Sequence, residues 1–262
     1  MSMNKVKLGG TWLLIFLMSG ICGCALYQSF MPEPSSLSDG DYVILVHGLG
    51  RTWRSMKASQ RFFVQQGYQV INLKYPSTKY PIETLSQDFL RPVIYERCID
   101  QTKKIHFVTH SMGGILVRYY LRTEKPQNLG RVVMLAPPNQ GSEVVDWEKH
   151  WWIFRRFLGP AGQQLGTDAD SLPLRLGPIN FELGVIAGNR SLEPFHSMMI
   201  QGPDDGKVAV ERTKVAGMQD FLVLPHTHTF LMRNRDALQQ AEYFLRTGKF
   251  QRTKEGKGNG AC

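Results

Sequence analysis

Ser111 lies in Val108-Thr109-His110-Ser111-Met112-Gly113-Gly114, where an apolar strand-like run gives way to a helical pattern. A serine hydroxyl is a useful nucleophile when a sharp strand-to-helix turn lifts it clear of the sheet and a base takes its proton. Small neighbours relieve crowding in such a turn, and Gly113 supplies one two positions after the serine. Thr109 stands where the pattern G-x-S-x-G has its first glycine, a departure that adds bulk to the turn. Alone the pattern is weak, because a serine at a helix start also serves as an N-cap.

Further residues complement that serine. In Val46-His47-Gly48-Leu49-Gly50 a glycine-rich loop follows an early strand. Attack on a carbonyl builds negative charge on oxygen, and one backbone N–H aimed there is worth about 3 kcal/mol. The N–H of Leu49 is one candidate donor, and that of Met112, at the helix start, is the other. A strand-end turn that needs glycine for its backbone angles would look the same. A base must come from the seven histidines. His47 belongs to the loop, His106 lies within a strand, His110 adjoins the serine, and His150 and His196 have no supporting pattern. That leaves Pro225-His226-Thr227-His228-Thr229-Phe230, before the last helix. His226 and His228 are two apart and face opposite ways in an extended loop, so only one can serve. Gly202-Pro203-Asp204-Asp205-Gly206-Lys207-Val208 falls between serine and histidines in chain order, where an orienting carboxylate belongs. A solvated Asp-Gly turn has the same appearance.

These loops need strands and helices to hold them. Continuous apolar or β-branched runs predict strands at residues 42–46, 68–73, 105–109, 131–135, 183–187 and 221–224. Helical spacing predicts helices at 53–66, 82–100, 113–122 and 236–247, with a kink or break at Pro92. The alternation points to a doubly wound, mostly parallel α/β sheet. Residues 144–180 interrupt the rhythm and read as an insertion.

Together these segments resemble an α/β-hydrolase of the bacterial lipase/esterase type, over residues 41–248. The resemblance rests on a strand followed by HG-x-G, then HSMGG, an Asp-Gly-x-Val loop, and His-Thr-Phe before the closing helix, all in order. It implies Ser111 as nucleophile, Asp205 as the orienting acid and His228 as base, with His226 the alternative. Leu49 and Met112 would form the oxyanion hole. It implies no metal and no organic cofactor. The absence of an aspartate nucleophile argues against carbon–halogen cleavage. The same triad could pass the acyl group to another acceptor or cleave a thioester, and a silent binding protein of this fold is a third reading.

The insertion carries Trp147-Glu148-Lys149-His150-Trp151-Trp152-Ile153-Phe154-Arg155-Arg156-Phe157-Leu158, three of the five tryptophans among them. It reads as a cap or lid that contacts a hydrophobic acyl substrate through Trp151, Trp152 and Phe154, or meets a lipid surface. An amphipathic helix packed on the core is the competing expectation. At the N-terminus, Lys5 and Lys7 precede a charge-free stretch, 8–32, whose apolar centre is too short for a comfortable span of about 20 residues. Ile21-Cys22-Gly23-Cys24 resembles a bacterial lipobox, with Cys22 where a small Ala, Ser or Thr is usual. Residues 1–24 are thus expected to be a lipoprotein signal with Cys24 lipidated; an uncleaved anchor and an ordinary cleaved signal are the alternatives. Each makes the protein exported or membrane-tethered. Residues 25–40 read as a linker and 249–262 as a disordered basic tail.

The chain has 262 residues, a net charge of +9 and 42% hydrophobic residues, too apolar for disorder and suited to one domain of this size. Four cysteines are too few for a disulfide scaffold, and no pairing of Cys98 with Cys262 is predicted. Over half the positive surplus sits in Lys5 and Lys7 and in Lys249, Arg252, Lys254 and Lys257 against Glu255. The charge therefore fits an anionic membrane surface, gives no support to nucleic-acid binding, and points to no protein partner.

Overall fold

A computed structural model of the chain describes residues 39–252. Cys24, the signal, most of the linker, and Cys262 lie outside the described residues. Six strands, β1 (Tyr42–Val46), β2 (Gln69–Asn72), β3 (Ile105–His110), β4 (Leu129–Leu135), β5 (Leu183–Gly188) and β6 (Asp220–Leu224), form one sheet in the order β2-β1-β3-β4-β5-β6. All neighbours are parallel. β1, β3 and β5 are buried along their whole length. Helices must cover a parallel sheet on both faces, and this is why those strands read as unbroken apolar runs rather than alternating ones.

Helix α1 (Lys57–Gln65) precedes β2, and α2 (Ile82–Leu85), a π turn (Ser86–Leu90) and α3 (Arg91–Arg97) precede β3. Pro92, in the first turn of α3, carries no N–H for an intrahelical bond, which accounts for the irregularity expected there. Helix α4 (Met112–Thr123) follows β3, and α5 (Glu143–Glu148), α6 (Trp152–Gln163) and α7 (Leu172–Arg175) occupy most of the stretch expected as an insertion. Short α8 (Pro194–Ser197) follows β5, and α9 (Arg235–Thr247) follows β6. Asn234 caps α9 by accepting from the Ala237 N–H at 2.9 Å, and Gly248 ends it in the left-handed region at φ 78°.

The main core joins Val43, Leu45, Val108, Val133 and Ile186 of the sheet to Phe63 of α1 and Phe244 of α9. Burying a side chain as large as Phe63 or Phe244 stabilises the fold by about 2 kcal/mol. The expected disorder after Gly248 is corrected for its first residues. Phe250 is buried, with its ring 5.1 Å from that of Phe244. Its N–H donates to Asp220 Oδ2 at 2.8 Å, and Arg252 pairs with Asp220 Oδ1 at 2.6 Å. The buried ring and the two contacts to Asp220 together hold residues 250–252 against the sheet edge.

Candidate active site

β1 is the first strand of the sheet, yet it pairs with β2 on one side and β3 on the other. The winding therefore reverses between β1 and β3, and loops leaving two such strands part to form a crevice at their carboxyl ends. His47-Gly48-Leu49 leaves β1 there, and Ser111 leaves β3. Ser111 has φ 53° and ψ −129°, a conformation outside the helical and extended regions that costs a non-glycine residue about 1–3 kcal/mol. The turn is held from behind: the Ser111 N–H donates to Leu135 O at 2.9 Å, and Gly114 N–H to Ser111 O at 2.9 Å.

Gly113 allows the close approach of α4 to β1. A Cβ there would stand 2.5 Å from Val46 O and 2.7 Å from His47 O. At Gly48 it would meet Ser111 Cβ at 2.9 Å. Thr109, the departure from the usual pattern, is wholly buried in β3. A Cβ on Gly114 would meet Met134 Sδ at 3.0 Å, Pro137 Cβ at 3.2 Å and the Thr109 Oγ1 at 3.3 Å, so this glycine sits in a crowded site that the threonine only helps to form.

The loop after β5 and β6 brings in the acid and the histidine. His228 Nδ1 lies 2.8 Å from Asp205 Oδ2, with Asp205 buried and His228 nearly so. Asp205 Oδ1 accepts from the N–H groups of Lys207 at 3.0 Å and Val208 at 2.9 Å, and the His228 N–H donates to Asp205 O at 2.9 Å. A carboxylate acceptor places the proton on Nδ1, which leaves Nε2 of the neutral ring as the basic nitrogen. Asp204 instead caps its own turn, accepting from Ser197 Oγ at 2.8 Å and Gly206 N–H at 2.7 Å. Of the two histidines left open by spacing, His228 reaches the carboxylate. Among the described residues no hydrogen bond joins Ser111 Oγ to His228; both face one cavity, and such bonds commonly tighten only when substrate is bound.

His110 plays a part that its sequence position did not disclose. Its Nε2 lies 2.9 Å from His228 O, and since a carbonyl only accepts, Nε2 carries the proton. The two rings are 4.8 Å apart. Burial first, and the neighbouring His228 second, hold the His110 pKa well below the ordinary histidine range. His47 is likewise buried, stacked on Tyr75 with centroids 4.1 Å apart, and burial lowers it to about 4. The Tyr75 hydroxyl donates to the His47 carbonyl. Both imidazoles are thus neutral at pH 7 and add no charge beside the serine.

The cavity has a volume of about 450 Å³. Leu49, Val144, Val145, Phe157, Leu158 and Leu165 give it an apolar wall, and Glu148, Glu193 and Lys207 a polar one. Here the expected substrate contacts need correction. Trp151 and Trp152 do not line the cavity; they are 55% and 75% exposed, and the side chain of Phe154 lies outside the described ones. Phe157 and Leu158 of the same helix line it instead. The helix begins only at Trp152, after a break, and kinks at Gly159 (φ 63°), so its inward face is not the one the run of tryptophans suggests. The polar wall was missed altogether. Glu148, Glu193, His196 and Lys207 come from three separate segments, with no local pattern to link them. Among the described residues no group of three His, Cys, Asp or Glu side chains is arranged to hold a metal ion. Cys98 is a buried free thiol whose pKa burial raises to about 12.

The profile of the Alpha/beta hydrolase family matches residues 43–241, so the chain belongs to that family. No curated protein matches it in sequence. Among solved structures it is similar to the mature lipase BlEst2 of Bacillus licheniformis, at 17% identity and a TM-score of 0.58 over 81% of this chain and 95% of that one. It is also similar to phospholipase PlaB of Legionella pneumophila, at 19% identity and a TM-score of 0.59 over 77% of this chain and 57% of that one. A metagenomic carboxyl esterase, MGS0156, aligns at 18% identity with a TM-score of 0.56, over 76% and 68% of the two chains. Identities this low speak to the shared fold.

Proposed function

We propose that this protein is a serine hydrolase that cleaves carboxylic esters with hydrophobic acyl groups. The observation that carries the reading is the buried Asp205–His228 hydrogen bond beside a strained Ser111, with Ser111 and His228 opening on one largely apolar cavity. His228 Nε2 takes the Ser111 proton as Oγ attacks the ester carbonyl, and the N–H groups of Leu49 and Met112 receive the oxyanion. His228⁺ then protonates the departing alcohol, and water, activated by the same nitrogen, frees the acid from the acyl-enzyme. Asp205 fixes the tautomer and faces the imidazolium while it exists. The three structural relatives are a lipase, a phospholipase and a carboxyl esterase, which supports ester chemistry here.

The cap helices supply the apolar wall and also an exposed aromatic surface. Trp151, Trp152, Phe157, Phe195 and Met198 are all exposed, and Arg155 and Arg156 stand among them. Aromatic rings with interleaved arginines suit the interface of a lipid layer. No helix among the described residues is long and apolar enough to cross a membrane. We also propose, from the basic and apolar pattern of residues 1–24, that the N-terminal segment tethers the protein with Cys24 as the lipidated residue; Cys24→Ser would then release it from membranes. A series of p-nitrophenyl esters tests the substrate class. kcat/KM is expected to rise with acyl length from acetate to about octanoate, and a flat series would remove the acyl-pocket reading.

A further inference from the structure

The polar wall of the cavity, Glu148, Glu193 and Lys207, is backed by His196, and the proposed reaction uses none of these four side chains. Lys207 Nζ lies 2.7 Å from Glu193 Oε2 and 3.0 Å from His196 Nδ1, and His196 Nδ1 is 2.5 Å from Glu193 Oε2. Glu193 is held through its Oε2. Glu148 is different. Its side chain is 12% exposed, His196 Nε2 stands 3.5 Å from Oε1, and among the described residues no hydrogen bond reaches its carboxylate. Burial, its largest influence, pushes its pKa above the usual carboxylate range, against the pull of Lys207 and His196.

Lys207 ties this wall to the catalytic loops. Its backbone N–H donates to Asp205 Oδ1 at 3.0 Å and its carbonyl accepts from Ser142 Oγ at 2.7 Å, so Lys207 and the acid loop are one bonded unit. Two carboxylates, Glu148 and Glu193, thus stand around one ammonium, that of Lys207. The other cation of the cavity, Arg51, bonds Thr229 Oγ1 at 3.2 Å beside the base loop. Glu148 lines the cavity with no protein donor on its carboxylate, so a ligand there can supply one, and a cation supplies charge as well.

We propose that Glu148 is a specificity-determining residue that receives a cationic alkylammonium group of the substrate while the apolar wall takes the hydrocarbon chain. This rests on the ester-hydrolase reading for the identity of the site, and its test separates the two. Two matched pairs place the cation on either side of the scissile bond. One is p-nitrophenyl 6-aminohexanoate against p-nitrophenyl heptanoate; the other is hexanoylcholine against 3,3-dimethylbutyl hexanoate. In one pair the wild type is expected to favour the cationic ester by about tenfold in kcat/KM, the factor given by one well-placed charge contact. In E148Q that ratio falls to about one or below. Neither pair favouring the cation, or E148Q keeping the preference, would overturn the proposal.

Binding gives a readout that does not need turnover. By calorimetry, S111A protein is expected to bind hexyltrimethylammonium at least about tenfold tighter than hexylsulfonate, with the preference gone in the S111A/E148Q double variant. Equal affinities in S111A would reject the cation site even if ester cleavage by Ser111 stands. A retained cation preference with no Ser111-dependent turnover would reject the hydrolase reading and leave the cation site in place.

Discussion

The strand-end loops and the cap helices line the same cavity but are held in place by different means. Ser111 is pinned by Leu135 O, Asp205 by two backbone N–H groups, and His228 by Asp205 on its ring and His110 on its carbonyl. Each of these residues is on a loop, yet neighbours from other strands leave it little freedom. On α6, Phe157 is 73% exposed although it borders the cavity, and the helix kinks at Gly159. The contrast is one of division of labour. Groups that move protons need geometry held to fractions of an ångström, whereas a surface that meets chains of varied length does not.

That contrast is sharpest where one substitution removes proton transfer altogether. His228→Ala is expected to lower kcat by about 10⁶-fold, while His226→Ala retains most activity; ester assays on purified variants check both. The reverse pattern would move the base to the other histidine. Asp205→Asn is expected to cost about 10⁴-fold in kcat, because an amide can hold the ring in the wrong tautomer, with folding verified by circular dichroism.

The buried histidines of the strand-end region extend the comparison to stability. His47 titrates near 4 when folded and near 6.5 when unfolded. Its folded pKa is the lower, so below about pH 6.5 the unfolded chain binds the extra proton and stability falls as pH drops toward 4. His106 and His110 are lowered in the same direction. Urea unfolding is expected to lose at least about 2 kcal/mol between pH 7 and pH 5, with the His47→Asn protein losing less. A pH-independent midpoint over that range would contradict the burial argument.

The smallest expected change is on the cap. Trp152→Ser should alter stability by no more than about 0.5 kcal/mol, since the ring is mostly in solvent. Its effect should appear in assays on emulsified rather than dissolved esters, as a weaker partition to the lipid phase. An equal loss on both would place Trp152 inside the acyl site instead.

What could be read along the chain follows from how far each signal extends. The strands were legible because burial on both faces makes them unbroken apolar runs, as in Tyr42–Val46. The serine turn and the Gly48 loop were legible because the backbone demands glycine close by in sequence. Which of His226 and His228 faces Asp205 was not, since periodicity says only that they diverge. The polar wall was invisible for a related reason: Glu148, His196 and Lys207 meet only once β5 and its flanking loops are in place. The tryptophans misled because residue type marks an interfacial segment without giving the phase of the helix that carries it. Phe250 was overlooked in a polar stretch because a single buried ring has no periodicity.

The account stands on Ser111 being the activated nucleophile. Labelling with a fluorophosphonate probe, read by intact mass, measures this directly. The wild type is expected to gain one adduct on Ser111, and S111A none. Labelling of both proteins alike, or of neither, would contradict the assignment.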